Sequence, residues 1–395
     1  VLSFGRLPLA NSFIHESMLD QDEERYPLDM VYCPGCTLVQ ITETVDPRKL
    51  FREYLYLSST SERVLRNAAE MAARMISERH LDANSTVIEI ASNDGYLLQH
   101  YAKRGIRSIG IEPAHNVAEI AEAKGVETIR EFFDLEVAQK MLADGFRADI
   151  IHANNVVAHV ADLHGMIAGA ALLLKPDGVL VIENAYVLDT IDHLEFDQCY
   201  HEHLCYYSAH SFNWLGAQHG LDLVDVELLP IHGGSIRVYF QPERGARDVL
   251  IGGAKRMVDV MRDEREWNTH DHLQAFAARV VGLRKELTAL LSQIKAGGAS
   301  IVAYGASAKS TTLLNYFGIG AETLDYMVDN TPIKQGRYTP GTHLQIFPPA
   351  KILETQPDFV LLTAWNFADD IIAKEAEYVR RGGKFIIPIP EVVVK

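Results

Sequence analysis

Nine consecutive residues, Cys199-Tyr-His-Glu-His-Leu-Cys-Tyr-Tyr207, crowd two imidazoles, a carboxylate, two thiols and three phenols into one short stretch. Histidine titrates near neutrality, and a neighbouring tyrosine or carboxylate can tune and orient it, so the stretch suits acid–base chemistry. On an extended segment Tyr200 and Glu202 share one face and His201 and His203 the other. In a turn all four could converge. Cys199, His201, His203 and Cys205 are zinc-ligand types, but alternating ligands along one segment are not a usual tetrahedral spacing. The competing reading is a polar cluster satisfied within the fold. His159, just past Ala153-Asn-Asn155, adds one more titratable group to the same edge.

A second candidate is Val87-Ile-Glu-Ile-Ala-Ser-Asn-Asp-Gly95-Tyr-Leu-Leu, an apolar run entering a tight turn and then a helix. Such turns let backbone amides approach a cofactor at a strand's carboxyl end. Glu89, Ser92, Asn93, Asp94 and Gly95 are the residues it offers. As a glycine fingerprint it is poor, because Ala91 and Asn93 stand where glycines are expected. The next apolar run, Ser108 to Ile111, ends in Glu112, which is placed to accept hydrogen bonds from both ribose hydroxyls. Phe132 and Phe133 could cover an adenine ring, though paired phenylalanines are more often core. Without a phosphate-cradling glycine set, S-adenosylmethionine, which has no phosphate, is favoured over a dinucleotide.

Gly305-Ala-Ser-Ala-Lys-Ser-Thr311 superficially suggests a phosphate loop, but the glycines of that motif should stand at Ala303 and Ala308. Nucleotide hydrolysis is therefore rejected. A helix N-terminus there can still bind an anion through its amides, with Lys309 adding charge, so a substrate phosphate is the candidate ligand. Cys33-Pro-Gly-Cys36 is a turn that could offer two thiolates to one metal.

The elements that must position these groups are legible as apolar patterns. Thr86–Ala91, Ser108–Glu112, Asp149–Ala153 and Gly178–Glu183 alternate with helical stretches at Asn116–Lys124 and Leu163–Leu174, which implies an α/β fold with a covered parallel sheet. From Glu62, helical spacing runs through Val64, Leu65, Ala68, Met71, Ala72, Met75 and Ile76 before Leu81–Ser85 break it. Pro176-Asp177-Gly178 is expected to turn into a strand. His232 to Phe240 reads as a further strand, Val249 to Lys295 as one long polar helical region, and a new alternating unit starts at Ser300, with later strands near Asp325–Asp329, Phe359–Ala364 and Lys384–Pro388. Residues before about 57 read as a small loop-rich module. The expected division is 1–57, 58–230 and 231–395.

At 395 residues two or three domains are expected, and 48% hydrophobic residues are ample to fill them. With 37 basic against 53 acidic residues, a formal charge of -16 repels phosphate backbones and argues against nucleic acid as a partner. No apolar run approaches the roughly 20 residues that span a bilayer. A cytoplasmic monomer with no membrane partner is the expectation. Four scattered cysteines do not make a disulfide framework.

The combination of Phe51-Arg-Glu-Tyr-Leu-Tyr-Leu-Ser-Ser59, Glu89-Ile-Ala-Ser-Asn-Asp-Gly95, Tyr200-His-Glu-His203, His232-Gly-Gly234 and Tyr304-Gly-Ala-Ser-Ala-Lys-Ser310 resembles the three-domain sugar C-methyltransferases that act on nucleotide-linked keto-deoxysugars. The resemblance covers essentially the whole chain. It implies a small zinc module, a Rossmann-like domain binding S-adenosylmethionine, and a second Rossmann-like domain closing over the nucleotide sugar. By motif match, Glu112 and Asn155 join the Asn93–Gly95 turn on the cofactor, and Tyr54, His159, Tyr200, Glu202 and His203 form the catalytic set. Tyr56, His232, Gly233 and Lys309 are the substrate-binding candidates. The zinc module of the family uses two Cys-x-x-Cys pairs, whereas only Cys33 and Cys36 are present here and the chain opens at Val1. Either the start of this module is missing or its structural zinc site is incomplete, and in neither case is zinc expected to be catalytic.

Methylation at carbon needs an acidified C–H bond, which a 4-keto group supplies. His203 is expected to be the base, Glu202 to orient it, and Tyr200 or His159 to stabilise the oxyanion. A nicotinamide-dependent oxidoreductase with two Rossmann units, a methyltransferase of another small natural product, and a non-enzymatic zinc-ribbon scaffold are the competing readings.

Overall fold

The computed structural model describes residues 1–50, 57–231, 233–243, 253–267 and 269–395. Tyr54, Tyr56 and His232 lie outside the described residues. Strands β1 (Leu2–Pro8), β2 (Arg25–Tyr32) and β3 (Val39–Ile41) pair antiparallel, so the module expected to be loop-rich is a sheet. Its signal was hidden by a register shift between Ser3 and Arg6 beside Gly5. Leu2 is buried before the shift, Phe4 within it and Leu7 after it, which breaks the two-residue period.

The helix Glu62–Glu78 follows, its N-terminus capped where the Ser61 side chain accepts from the Val64 amide. Ala68, Met71, Ala72 and Met75 are its buried stripe, as their spacing predicts. Then come β4 (Thr86–Ile90), β5 (Arg107–Ile111), β6 (Glu127–Ile129), β7 (Ala148–Asn154) and β8 (Leu174–Ala185), all parallel in one sheet. Pro176-Asp177-Gly178 does not start a strand. It is an irregularity inside β8, where Ala148 faces Leu174 but Ile150 already faces Val179.

The two-residue β9 (Cys205–Tyr206) returns to the first sheet by pairing with β3. β10 (Leu221–Leu229) and β11 (Ser235–Pro242) complete the large sheet in the order β10-β11-β8-β7-β4-β5-β6, with β11 antiparallel to both neighbours. β11 lies past residue 230, so the sheet is closed by residues beyond that expected boundary. Buried Arg237 helps hold it there, with its guanidinium 2.6 Å from Glu183 of β8.

The expected single helical region is two helices, Gly253–Trp267 and His270–Ala296, the second capped by the Thr269 side chain. Leu273, Phe276, Val280, Leu283, Leu287 and Leu291 bury one stripe of the longer helix. A third sheet is built from β12 (Ile301–Tyr304), β13 (Met327–Val328), β14 (Ile346–Phe347), β15 (Phe359–Leu362), β16 (Lys384–Ile387) and β17 (Val393–Val394), in the order β14-β13-β12-β15-β16-β17. The helix Ala308–Phe317 binds the three sheets together: Thr311 Oγ1 donates to the Ala10 carbonyl at 2.9 Å and Thr312 Oγ1 to the Cys199 carbonyl at 2.9 Å.

Candidate active site

In the large sheet the strand order reverses between β4 and β7, and the carboxyl ends there form the crevice where such folds bind ligands. The turn after β4 holds Ala91 at φ 54°, Asn93 at φ 49° and Gly95 at φ 73°. The backbone thus takes the left-handed shape that glycines would give, and Ala91 and Asn93 adopt it at a steric cost of roughly 1–2 kcal/mol each. Glu112 clamps this turn, since its carboxylate accepts the Asn93 amide at 3.0 Å and the Ala114 amide at 2.9 Å. Burial raises its proton affinity and those two amides oppose the rise. Lys124 Nζ adds a tie to Asp94 Oδ2 at 3.1 Å, and Asn93 Oδ1 accepts the Ser58 amide at 2.9 Å.

Gly110 makes room for the turn from below, because a Cβ there would lie 2.3 Å from Ser92 Oγ. Among the described residues, Ser92 Oγ, Asp94 Oδ1 and Asn154 Oδ1 are buried without a hydrogen-bond partner. Such atoms call for a polar ligand. Glu89 is buried under the turn, and burial holds its carboxyl well above the usual range against the Tyr96 hydroxyl. A cationic, hydroxyl-bearing cofactor fits this donor-poor, acceptor-rich set.

Phe132 and Phe133 part company: Phe133 is core, while Phe132 is exposed on the surface. Asn155 follows β7 at φ 53°, its amide donating to the Glu183 carbonyl at 2.7 Å.

The Tyr200–His203 stretch is a turn closed by the His203 amide on the Tyr200 carbonyl at 2.9 Å. Only its two ends meet. His203 Nδ1 lies 2.9 Å from the Gln198 carbonyl and must donate to it. The opposite nitrogen, Nε2, therefore carries the lone pair and accepts from the Tyr200 hydroxyl at 2.8 Å. The His159 ring sits 4.9 Å away, centre to centre, with its Nδ1–H on the Glu202 carbonyl at 2.7 Å.

Burial first, then the His159 imidazole and the Lys309 ammonium, hold His203 well below the usual histidine range, against the Gln198 carbonyl. Burial also takes His159 down to about 4. Both rings are neutral at neutral pH, the state a base requires.

The middle residues point elsewhere. Glu202 does not orient His203; its carboxyl accepts from Asn11 Nδ2 at 2.7 Å, and burial pushes it up to about 7. The orienting acceptor is the Gln198 carbonyl. His201 Nε2–H is shared between the Tyr26 and Pro27 carbonyls at 3.3 and 3.1 Å. These two side chains fasten the first sheet to the site.

Among the described residues no three His, Cys, Asp or Glu side chains surround a metal position, which disposes of the alternating Cys199, His201, His203 and Cys205 set. Cys33 and Cys36 occupy the β2–β3 turn, where the Cys36 and Gly35 amides lower the Cys33 thiol. That favours a thiolate at Cys33, whereas burial raises the Cys36 thiol.

Lys309 is at the second residue of its helix, with Nζ 3.5 Å from Glu195 Oε2 and 4.9 Å from the Trp365 ring centre. Gly233, at φ 93°, lies against the same Glu195 carboxylate. Sequence reasoning passed over Glu195, Asp197 and Gln198, whose only signal was adjacency to the titratable stretch. Asn11 and Trp365 had no signal at all.

A Rossmann-like sheet with a strand-end carboxylate clamping the first turn defines the fold of S-adenosylmethionine-dependent methyltransferases. A family model described as a methyltransferase domain matches residues 54–226, one for a C-methyltransferase C-terminal domain matches 230–390, and one for a proposed zinc-binding domain matches 1–51. The C-methyltransferase NovU of Streptomyces niveus is 32% identical over 393 residues, covering 99% of this chain and 93% of that protein.

This chain belongs to that C-methyltransferase family and is an S-adenosylmethionine-dependent enzyme. The nicotinamide and scaffold readings fall with that result.

A ubiquinone biosynthesis O-methyltransferase of Methylobacterium is 29% identical over 98 residues, 25% of this chain and 39% of that protein. The magnesium protoporphyrin IX methyltransferase of Synechocystis, solved with bound S-adenosylmethionine, superposes with a TM-score of 0.35 at 13% identity, over 45% of this chain and 79% of that one. Among the described residues, no helix is long and apolar enough to cross a membrane.

Proposed function

We propose that the enzyme methylates the carbon beside the ketone of a dTDP-linked 4-keto deoxysugar, with His203 as the base. The observation that carries this reading is the tautomer imposed on His203, which leaves a buried, neutral nitrogen lone pair beside a phenol. When bound, S-adenosylmethionine supplies an electrophilic methyl group. Glu112, Asn93 to Gly95, Ser92, Glu89, Phe132 and Asn155 are its proposed contacts. The Tyr200 hydroxyl turns from Nε2 to the ketone oxygen as substrate enters, which frees the lone pair and places a donor on the developing oxyanion. His203 Nε2 then takes the α-proton, and the electron pair left on carbon would form the new C–C bond to the methyl carbon of bound S-adenosylmethionine, whose S–CH3 pair would return to sulfur and leave S-adenosylhomocysteine.

Glu202, with a proton affinity near neutrality, and His159 complete the acid–base set, with Tyr54 a further candidate. Lys309 and Gly233 are the proposed nucleotide contacts, and Tyr56 and His232, outside the described residues, are further candidates. Cys33 and Cys36 are the proposed ligands of a structural zinc. Localisation in the cytoplasm and action as a monomer belong to the same reading.

A mass-spectrometric screen of keto-sugar nucleotides with methyl-labelled cofactor tests it. One methyl gained at a carbon next to the ketone is the expected result. Label found only on oxygen or nitrogen of every accepted substrate overturns it.

A further inference from the structure

Strand order in the third sheet reverses between β12 and β15, and the carboxyl ends beside such a reversal are where folds of this kind take ligands. Lys309 follows β12 and Trp365 follows β15. Across from them, on the segment that leads into the acid–base turn, lie Glu195, Asp197 and Gln198, all buried. Trp365 Nε1 donates to Asp197 Oδ2 at 2.7 Å, and Lys309 Nζ stands 3.5 Å from Glu195 Oε2. Gln198 Nε2 donates to that same Glu195 oxygen. Its backbone carbonyl receives the His203 Nδ1–H at 2.9 Å and the Tyr206 hydroxyl at 3.2 Å. Space for the Glu195 carboxylate depends on Gly233, where a Cβ would lie 2.4 Å from Oε1.

An unbroken line of polar contacts thus runs from Lys309 through Glu195 and Gln198 to the imidazole. We propose that Glu195 is a positioning residue that couples occupancy of the crevice beside Lys309 to the orientation of His203. The inference rests on the reading of His203 as base and of Lys309 as a phosphate ligand. Glu195 pins the Gln198 side chain, and with it the carbonyl that sets the imidazole. A diphosphate drawn to Lys309 competes with Glu195 for the same ammonium, so the arrival of substrate is transmitted to His203. No bond is made or broken along this line.

The His203 Nδ1–H proton reports on the coupling without any need for turnover. In protein labelled with 15N-histidine, its resonance is assigned by its loss in His203→Gln. Glu195→Ala should speed solvent exchange of that proton by at least about ten-fold, the scale of one lost hydrogen bond. Glu195→Gln, which keeps an acceptor for Gln198, should largely preserve it. Should Glu195→Ala not fold, Gln198→Met cuts the same link from the other side and carries the same expectation. Saturating thymidine diphosphate should shift the resonance in the unaltered enzyme and not in Lys309→Met. An unchanged resonance with unaltered exchange in the folded Glu195→Ala protein overturns the coupling and leaves the base assignment standing. Persistence of substrate α-hydrogen exchange in His203→Ala would instead remove the base and leave these spectra as they are.

Discussion

The Tyr200 hydroxyl and His203 Nε2 are 2.8 Å apart, and because His203 Nδ1 is already committed as a donor to the Gln198 carbonyl, the tyrosine must be the donor of the pair. A three-residue separation within a closed turn is what allows the two rings to lie with centres 4.1 Å apart. The site therefore contains a neutral imidazole whose lone pair is capped by a removable phenol, at the edge of the cofactor sheet.

From this follows an expectation for proton transfer. With S-adenosylhomocysteine in place of cofactor, the enzyme should still exchange the acidic substrate hydrogen for solvent deuterium. His203→Ala should abolish the exchange, and Tyr200→Phe should slow it by about 100-fold or more, the lower range for loss of a positioned acid–base group. Cofactor affinity should be nearly unchanged in both. Wild-type exchange in His203→Ala would move the search for the base to His159 or a tyrosine.

Glu112 is expected to act twice on the cofactor. Its two oxygens clamp the Asn93 and Ala114 amides of the turn, and they are the acceptors proposed for the ribose hydroxyls. Glu112→Ala should weaken S-adenosylmethionine binding by about 1.5–3 kcal/mol, the scale of a lost charge-assisted hydrogen bond. Calorimetry of Glu112→Gln, which keeps one acceptor, should give a smaller loss. Equal, wild-type affinity in both variants would refute the role.

Gly110 should tolerate no side chain. Ser92 Oγ occupies the position that a Cβ would need, 2.3 Å away. Gly110→Ala is expected to displace the turn, with a loss of about 1–3 kcal/mol in urea unfolding, as for other overpacked sites, and a parallel drop in cofactor affinity. A variant as stable as the parent would show that the turn can shift freely.

Glu202 predicts an unusual pH dependence. Burial pushes its carboxyl up to about 7 from 4.5, so the folded state favours the protonated form. The unfolded chain gains by ionising above about 4.3. Stability contributed by the protonated group is therefore present below that value and lost as pH rises to about 7. Glu202→Gln lacks this loss, and its advantage over the parent should grow from near zero at pH 4 to on the order of 3 kcal/mol at pH 8. Urea midpoints across that range would test it, and a difference that does not vary with pH would contradict it.

Patterns that act over one element were legible in the chain itself. The helical stripe from Ala68 to Met75 and the apolar runs of β4, β5 and β7 are local, and burial then follows from their period. Glu112 could be picked out because it follows a strand, whereas Ala91 and Asn93 counted against the motif in the sequence and only the structure shows them taking the left-handed backbone of glycines. The same logic failed in β1, where a shift beside Gly5 erased the alternation, and in β8, where the Pro176-Asp177-Gly178 irregularity imitated a turn.

That Tyr200-His-Glu-His203 carries four groups able to exchange protons was determined by the sequence. Which of the four side chains converge was decided by the tertiary structure. The turn brings Tyr200 to His203, while Asn11 draws Glu202 and the Tyr26 and Pro27 carbonyls draw His201 to separate partners. Asn11 is 191 residues from Glu202, and Trp365 is 168 residues from Asp197. A hydrogen-bond partner at that separation is set by how three sheets pack on one helix, and no local period encodes it.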